Sequence, residues 1–121
     1  MRKLALALLL LVKSCGQAYA DGWTESDYSL QVAATAMLVA DWAQTRYIAK
    51  HPDSYFEYNP ILGLHPSVDR VDLYFISSII GTTILADYMP SKVRKAFLAG
   101  ETFIEFGFVQ HNLSIGIGVG F

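Results

Sequence analysis

Three long apolar stretches, separated by segments that contain proline, organise the chain. Residues 28–50, 68–89 and 92–111 are rich in apolar side chains and contain no proline. Pro52 and Pro90 follow the first two stretches, and a proline ring blocks the continuation of a helix. The pattern therefore predicts an all-α fold with helices at about 28–50, 68–89 and 92–111.

Polar residues at the expected positions predict where these helices begin. Thr24 followed three residues later by Asp27 matches a capping box before the first helix. Ser67 is placed to cap the second helix, and Ser91 to cap the third. Residues 51–67 contain three prolines and a glycine, which is typical of a constrained loop.

The last nine residues show a different pattern. In residues 113–121 larger apolar residues alternate with serine or glycine. Alternation with a period of two is typical of a strand. We therefore predict a short extended tail after the third helix.

The first twenty residues have the pattern of an export signal. Arg2 and Lys3 precede an apolar run at residues 4–12, and Ala18 and Ala20 form a small-x-small cleavage site. An uncleaved anchor is the alternative, and Cys15 also allows a lipoprotein interpretation. The predicted organisation is a signal peptide at 1–20 and a single helical domain at 21–121.

Charge and cysteine content exclude several classes of protein. Removing residues 1–20 removes three of the nine basic residues and none of the eleven acidic ones, which leaves a formal charge of −5. An acidic chain gives no reason to expect nucleic acid as a partner. A single cysteine excludes an internal disulfide framework and a cysteine-cluster zinc site. No cofactor is predicted.

Helix length and apolar composition favour an integral membrane protein of the bacterial inner membrane. The 23 residues of 28–50 would span ~34 Å as a helix, which is enough to cross a bilayer core. The expected partners are the lipid bilayer and either a second copy or another membrane protein. A soluble periplasmic bundle is the alternative, and the alternating tail leaves an outer-membrane location open.

Two predicted helix faces carry polar side chains among apolar ones. The candidates are Asp41, Gln44 and Thr45 on the first helix, and Glu101, Glu105 and Asn112 on the third, with His111 to one side of that face. Residues spaced by three or four share one helix face. If the two faces meet, their carboxylates and histidine suit a metal cation or a proton relay. The alternative is a solvated face.

The loop after the first helix supplies a second set of candidates. These are Glu57, Asn59, Pro60, His65, Asp69 and Asp72. Histidine near two aspartates would suit a metal, but such groups more often cap a helix and hold a turn, which is the role we expect. Asn59 before Pro60 indicates a turn, with Glu57 accepting hydrogen bonds from the loop or from Arg46.

The spacing Asp41-x-x-x-Thr45, followed by Glu57-x-Asn59-Pro60, resembles a group of uncharacterised small bacterial membrane proteins. These proteins carry an aspartate and a threonine in one hydrophobic helix and an E-x-N-P loop after it. The match spans residues 41–62. No activity is attached to the group, so the resemblance implies a membrane location and no catalytic residue.

The sequence therefore predicts a small exported membrane protein that acts through binding or assembly. No Ser/His/Asp order, phosphate loop or HExxH element is present. A hydrolytic role for Glu57 or His65 is the enzymatic alternative.

Overall fold

Three helices make up the computed structural model, which describes residues 22–121. They are α1 (Glu25–Lys50), α2 (Val68–Tyr88) and α3 (Ser91–Ser114), and this part of the chain contains no strand. The predicted all-α class is confirmed. Helix α1 packs extensively against α3 and also against α2, whereas α2 and α3 touch each other little. The predicted signal peptide at 1–20 lies outside the described residues.

None of the helices found in residues 22–121 combines the length and the apolar character needed to cross a membrane.

Local capping sets most of the helix boundaries. The side chain of Thr24 accepts a hydrogen bond from the Asp27 backbone, and the Asp27 side chain accepts one from the Thr24 backbone. This capping box is present as expected, and it starts α1 three residues earlier than the apolar pattern indicated. Ser67 caps α2 by accepting from the Arg70 N–H. The expectation for Ser91 was wrong, because Pro90 is the N-cap residue and Ser91 is the first residue of α3.

The end of α3 overturns the predicted strand. The helix continues to Ser114, and Gly116 then adopts a positive φ of 85°. The Gly116 N–H donates to Leu113 O and the Ile117 N–H donates to Asn112 O. This pair of bonds is a Schellman motif, which needs a residue in the left-handed region and therefore favours glycine. The first glycine of the alternating tail is a helix terminator.

The remaining glycines let the tail lie directly on α1. A Cβ at Gly120 would be 2.2 Å from Tyr47 N, and one at Gly118 would be 3.1 Å from Tyr47 Cε2. The Gly120 N–H donates to Ala43 O at 2.8 Å. The Phe121 ring meets Trp42 edge to face, with 5.1 Å between ring centroids. The alternation therefore reflects contact with a helix, not pairing in a sheet.

Apolar side chains form two clusters along α1. The first joins Leu38 of α1, Leu62 of the loop, and Val71 and Phe75 of α2. The second joins all three helices through Ala34, Ala86 and Leu98. Because both clusters include α1, this helix positions the loop and the other two helices relative to each other.

A buried charge cluster joins the first turn of α1 to the start of α3. Arg94 and Asp27 are both fully buried and are 3.1 Å apart, and Lys95 Nζ lies 2.6 Å from the other Asp27 oxygen. Hydrogen bonds from Lys95 and the Thr24 backbone, together with Arg94, hold the pKa of Asp27 well below its usual range, although burial raises it. The Arg94 guanidinium also lies over the Trp23 ring, 4.8 Å from its centroid.

Candidate functional site

A cavity of about 930 Å³ opens between α1, α3, the start of α2 and the loop at 51–67. Its wall contains most of the polar residues that the sequence singled out. They are Asp41 and Thr45 from α1, Glu57, Asn59 and Pro60 from the loop, and Glu101, Glu105, His111 and Asn112 from α3. The structure thus brings the two polar helix faces together and adds the loop motif to them.

Hydrogen bonds between α1 and α3 fix the floor of this site. Asn112 Nδ2 donates to Asp41 Oδ1 at 3.3 Å and to Gln44 Oε1 at 3.1 Å. Gln44 is buried and donates to Val109 O at 3.2 Å. Thr45 Oγ1 donates to Asp41 Oδ1 at 3.5 Å. Gln44 therefore holds the helices together behind the cavity, while Asp41 faces into it.

Asp41 and Glu105 form a carboxyl pair on the cavity wall, and each affects the pKa of the other. Burial raises the pKa of Asp41 to about 6; the Glu57 charge also raises it, while the bonds to Glu105 and Thr45 oppose the rise. Burial, followed by the Asp41 charge, the bond to Asp41 and the Glu101 charge, raises the pKa of Glu105 to about 8. Two neighbouring carboxyls in a poorly hydrated site cannot both ionise at low cost. The pair therefore holds one proton near neutral pH.

The other carboxyls of the wall differ in their partners. Burial also raises the pKa of Glu101. Glu57 accepts a hydrogen bond from the Asn59 N–H at 2.8 Å, as the sequence indicated. Its predicted alternative donor, Arg46, bonds to Asp72 instead. The buried atom Glu105 Oε2 has no hydrogen-bond partner within residues 22–121.

The loop motif works as a turn that presents Glu57. Asn59 Oδ1 accepts from the Ile61 N–H at 2.9 Å, and Asn59 O accepts from the Leu62 and Gly63 N–H groups. Gly63 has a positive φ of 82°. Leu62 is buried in the core and anchors the turn. The loop is thus built around Asn59 and held by an apolar contact.

Three of the predicted loop residues lie outside the cavity. His65 and Asp69 are exposed. Asp72 accepts from Trp42 Nε1 at 2.8 Å and pairs with Arg46, whose hydrogen bond lowers the Asp72 pKa. Among residues 22–121, no group of three or more His, Cys, Asp or Glu side chains is arranged to hold a metal ion. The metal site considered as the alternative for His65, Asp69 and Asp72 is therefore not assembled in this part of the chain.

Sequence reasoning missed the aromatic part of the wall. Its members come from the loop and from two helices: Phe56, Tyr58, Tyr74, Phe75 and Phe108. Phe56 and Tyr58 pack at 4.9 Å between ring centroids, and Tyr58 lies 6.4 Å from the His111 ring. For the loop members, the signal was the presence of three aromatic residues among the four at 55–58, in a polar loop where apolar side chains have no helical face to join.

Neither a known protein family, nor a curated protein, nor a solved structure matches this chain.

Proposed function

We propose that the protein is a small binding protein of the bacterial envelope and that its ligand occupies the cavity between α1, α3 and the loop. One observation carries this proposal: a cavity of about 930 Å³ has the Asp41–Glu105 carboxyl pair and five Phe or Tyr rings in its wall. Ligand sites in proteins have volumes of ~300–1,000 Å³ and combine apolar walls with a few convergent polar groups.

The chemistry of the wall favours binding over covalent catalysis. The Thr45 hydroxyl is buried and its hydrogen bond to Asp41 Oδ1 is long, at 3.5 Å, and Asn112 donates through an amide nitrogen, which is a poor nucleophile. The pair can accept or release a proton when a charged group enters the cavity. The protein would therefore recognise its ligand by shape, charge and protonation.

We also infer that the protein works at the inner membrane, with self-association or another membrane protein as the further partner. Apolar side chains on the outside of α2 support this location: Leu73, Ile76, Ile80 and Ile84 follow one helix face and are 44–69 % exposed. Large exposed apolar patches mark contact with membranes or proteins. Membrane fractionation followed by an alkaline wash tests the location, and release into the wash would favour the periplasmic alternative.

Binding can be tested with two aromatic probes of matched shape. Benzyltrimethylammonium carries a positive charge, and neopentylbenzene is its neutral counterpart. Two-dimensional NMR of the labelled protein should show shift changes at the cavity residues with at least one probe. The absence of shifts with both probes would refute the binding proposal.

A pair of glycine variants provides the matched control. Gly107 lines the cavity and a Cβ there meets open space, so Gly107→Trp should fill the cavity without an immediate clash. Gly100 also lies on α3 in open space but does not line the cavity. We expect Gly107→Trp to abolish the shifts and Gly100→Trp to retain them. Equal binding by both variants would place the ligand elsewhere.

A further inference from the structure

The charge on the cavity wall is unbalanced. Four carboxyl groups line the cavity, from Asp41, Glu57, Glu101 and Glu105, and the described lining contains no lysine or arginine. Among the described lining residues, His111 is the single one able to carry a positive charge. A cleft lined by charges of one sign concentrates counter-ions of the opposite sign.

The nearest cations of α1 are held away from this wall. Arg46 pairs with Asp72, and its Nε donates to Gly120 O at 3.2 Å. Lys50 Nζ donates to the same carbonyl at 2.5 Å. Because the tail and Asp72 engage these side chains, they do not neutralise the carboxyls of the cavity.

Two further observations indicate what kind of cation fits. Glu105 Oε2 is buried and receives no hydrogen bond within the described chain, so a positive charge placed beside it would stabilise the carboxylate. Five aromatic rings line the same space. Aromatic faces attract organic cations, particularly where water is displaced. A bare metal ion would use neither the rings nor the volume.

We propose that the cavity binds an organic cation, either an amine or a quaternary ammonium with an apolar body. The charged nitrogen lies at Asp41 and Glu105, and the apolar body packs against the rings of Phe56, Tyr58 and Phe108. This inference rests on the proposed binding function and adds the chemical class of the ligand.

Protonation of the site controls its affinity. The titratable groups that line the cavity with the pair are Glu57 and Tyr58 from the loop, Tyr74 from α2, and Glu101 and His111 from α3. A cation favours the ionised form of both members of the pair, so binding displaces the proton that they share. Affinity for a cation of fixed charge should therefore rise with pH until that proton is lost.

The test uses the same two probes and adds charge variants. Benzyltrimethylammonium keeps its charge at all pH values, so any pH dependence of its binding belongs to the protein. We expect it to bind at least about tenfold more tightly than neopentylbenzene, since one ion pair in a partly buried site contributes that much. We also expect its affinity to increase between pH 6 and pH 9.

Matched variants distinguish the effect of the cavity carboxyls on binding from the effect of the overall charge of the protein. Glu105→Gln and Asp41→Asn should each weaken binding of the cation about tenfold and leave neopentylbenzene unaffected. Glu25→Gln and Asp53→Asn make the same changes at exposed positions outside the cavity and should leave both affinities unchanged.

The outcomes distinguish the two proposals. If both probes bind with equal affinity, or if the cavity and surface variants weaken cation binding equally, the organic-cation proposal is refuted while the binding function stands. If neither probe binds, the binding function itself fails.

Discussion

Replacing Arg94 with leucine should destabilise the protein strongly, although its side chain does not line the candidate site. The guanidinium donates to Ala86 O at 2.7 Å and to Met89 O at 2.9 Å in a fully buried position. Hydrogen bonds from a charged donor contribute ~1.5–3 kcal/mol each, so the two together contribute ~3–6 kcal/mol. Burying the leucine side chain returns ~1.5–3 kcal/mol.

Taken at the middle of these two ranges, the net loss expected for Arg94→Leu is about 2–3 kcal/mol. For a domain of this size each kcal/mol lowers the midpoint of thermal unfolding by ~4–8 °C, so the shift should be about 10–20 °C. Thermal unfolding followed by far-ultraviolet circular dichroism measures it. The unfolding midpoint of Arg94→Lys should lie between those of the wild type and Arg94→Leu, because one ammonium group cannot replace the planar set of guanidinium donors.

Lys92 offers a matched control on the same helix. Its side chain is exposed, so Lys92→Leu makes the same replacement of a cation by leucine with an expected change within ~0.5 kcal/mol. If Arg94→Leu unfolded at the wild-type temperature, the cost of burying the guanidinium would offset its bonds, and the reasoning from hydrogen bonds would be wrong.

Two further predictions concern the site and the tail. The folded-state pKa values of Asp41 and Glu105 are raised from 3.8 and 4.5 to about 6 and about 8, so their contribution to stability is present below pH 4 and lost as the pH rises to 8. Denaturant unfolding at several pH values should show that the free energy of unfolding declines over this range, and Glu105→Gln should make the decline smaller. Parallel plots of unfolding free energy against pH for the two proteins would contradict the assignment of the decline to Glu105. Gly120→Ala should cost about 2 kcal/mol, because the added Cβ forces the tail away from Tyr47 and breaks its bonds to α1. Gly81→Ala, at an open helical position, should instead leave stability unchanged or raise it by ~0.5–1 kcal/mol, and an equal loss in both variants would exclude the steric explanation.

Local chemistry explains the features that the sequence predicted well. The capping box at Thr24, the cap at Ser67 and the prolines at 52 and 90 act on neighbouring backbone groups, so short segments are enough to place these helix ends. The polar face of α1 could also be derived, since it follows from helical spacing alone. The contact of this face with Asn112 and Glu105 was predicted only on the condition that the two polar faces meet, because helical spacing does not determine which faces pack together.

The features that sequence reasoning missed depend on partners distant in the chain. Arg94 belongs to a basic run that would normally be solvated, and only the position of Asp27 sixty-seven residues earlier explains its burial. The glycines of the tail produce an alternating pattern that resembles a strand. Gly116 is instead needed because its φ is positive, and Gly120 because a Cβ there would clash with α1. Composition shows that these residues are small, but not what lies beside them.

The arrangement around α1 also determines how the molecule opens. Helix α2, helix α3 and the tail all pack on α1, whereas α2 and α3 share few contacts. Local unfolding of α1 would therefore break its contacts with α2, α3 and the tail. Separation of α2 would break mainly its contacts with α1 and should cost less free energy. Local opening in proteins follows such differences in packing. In hydrogen–deuterium exchange, the middle of α1 should be the last segment to exchange and the outer turns of α2 should exchange early. Uniform protection of the three helices would instead indicate that they unfold as one cooperative unit.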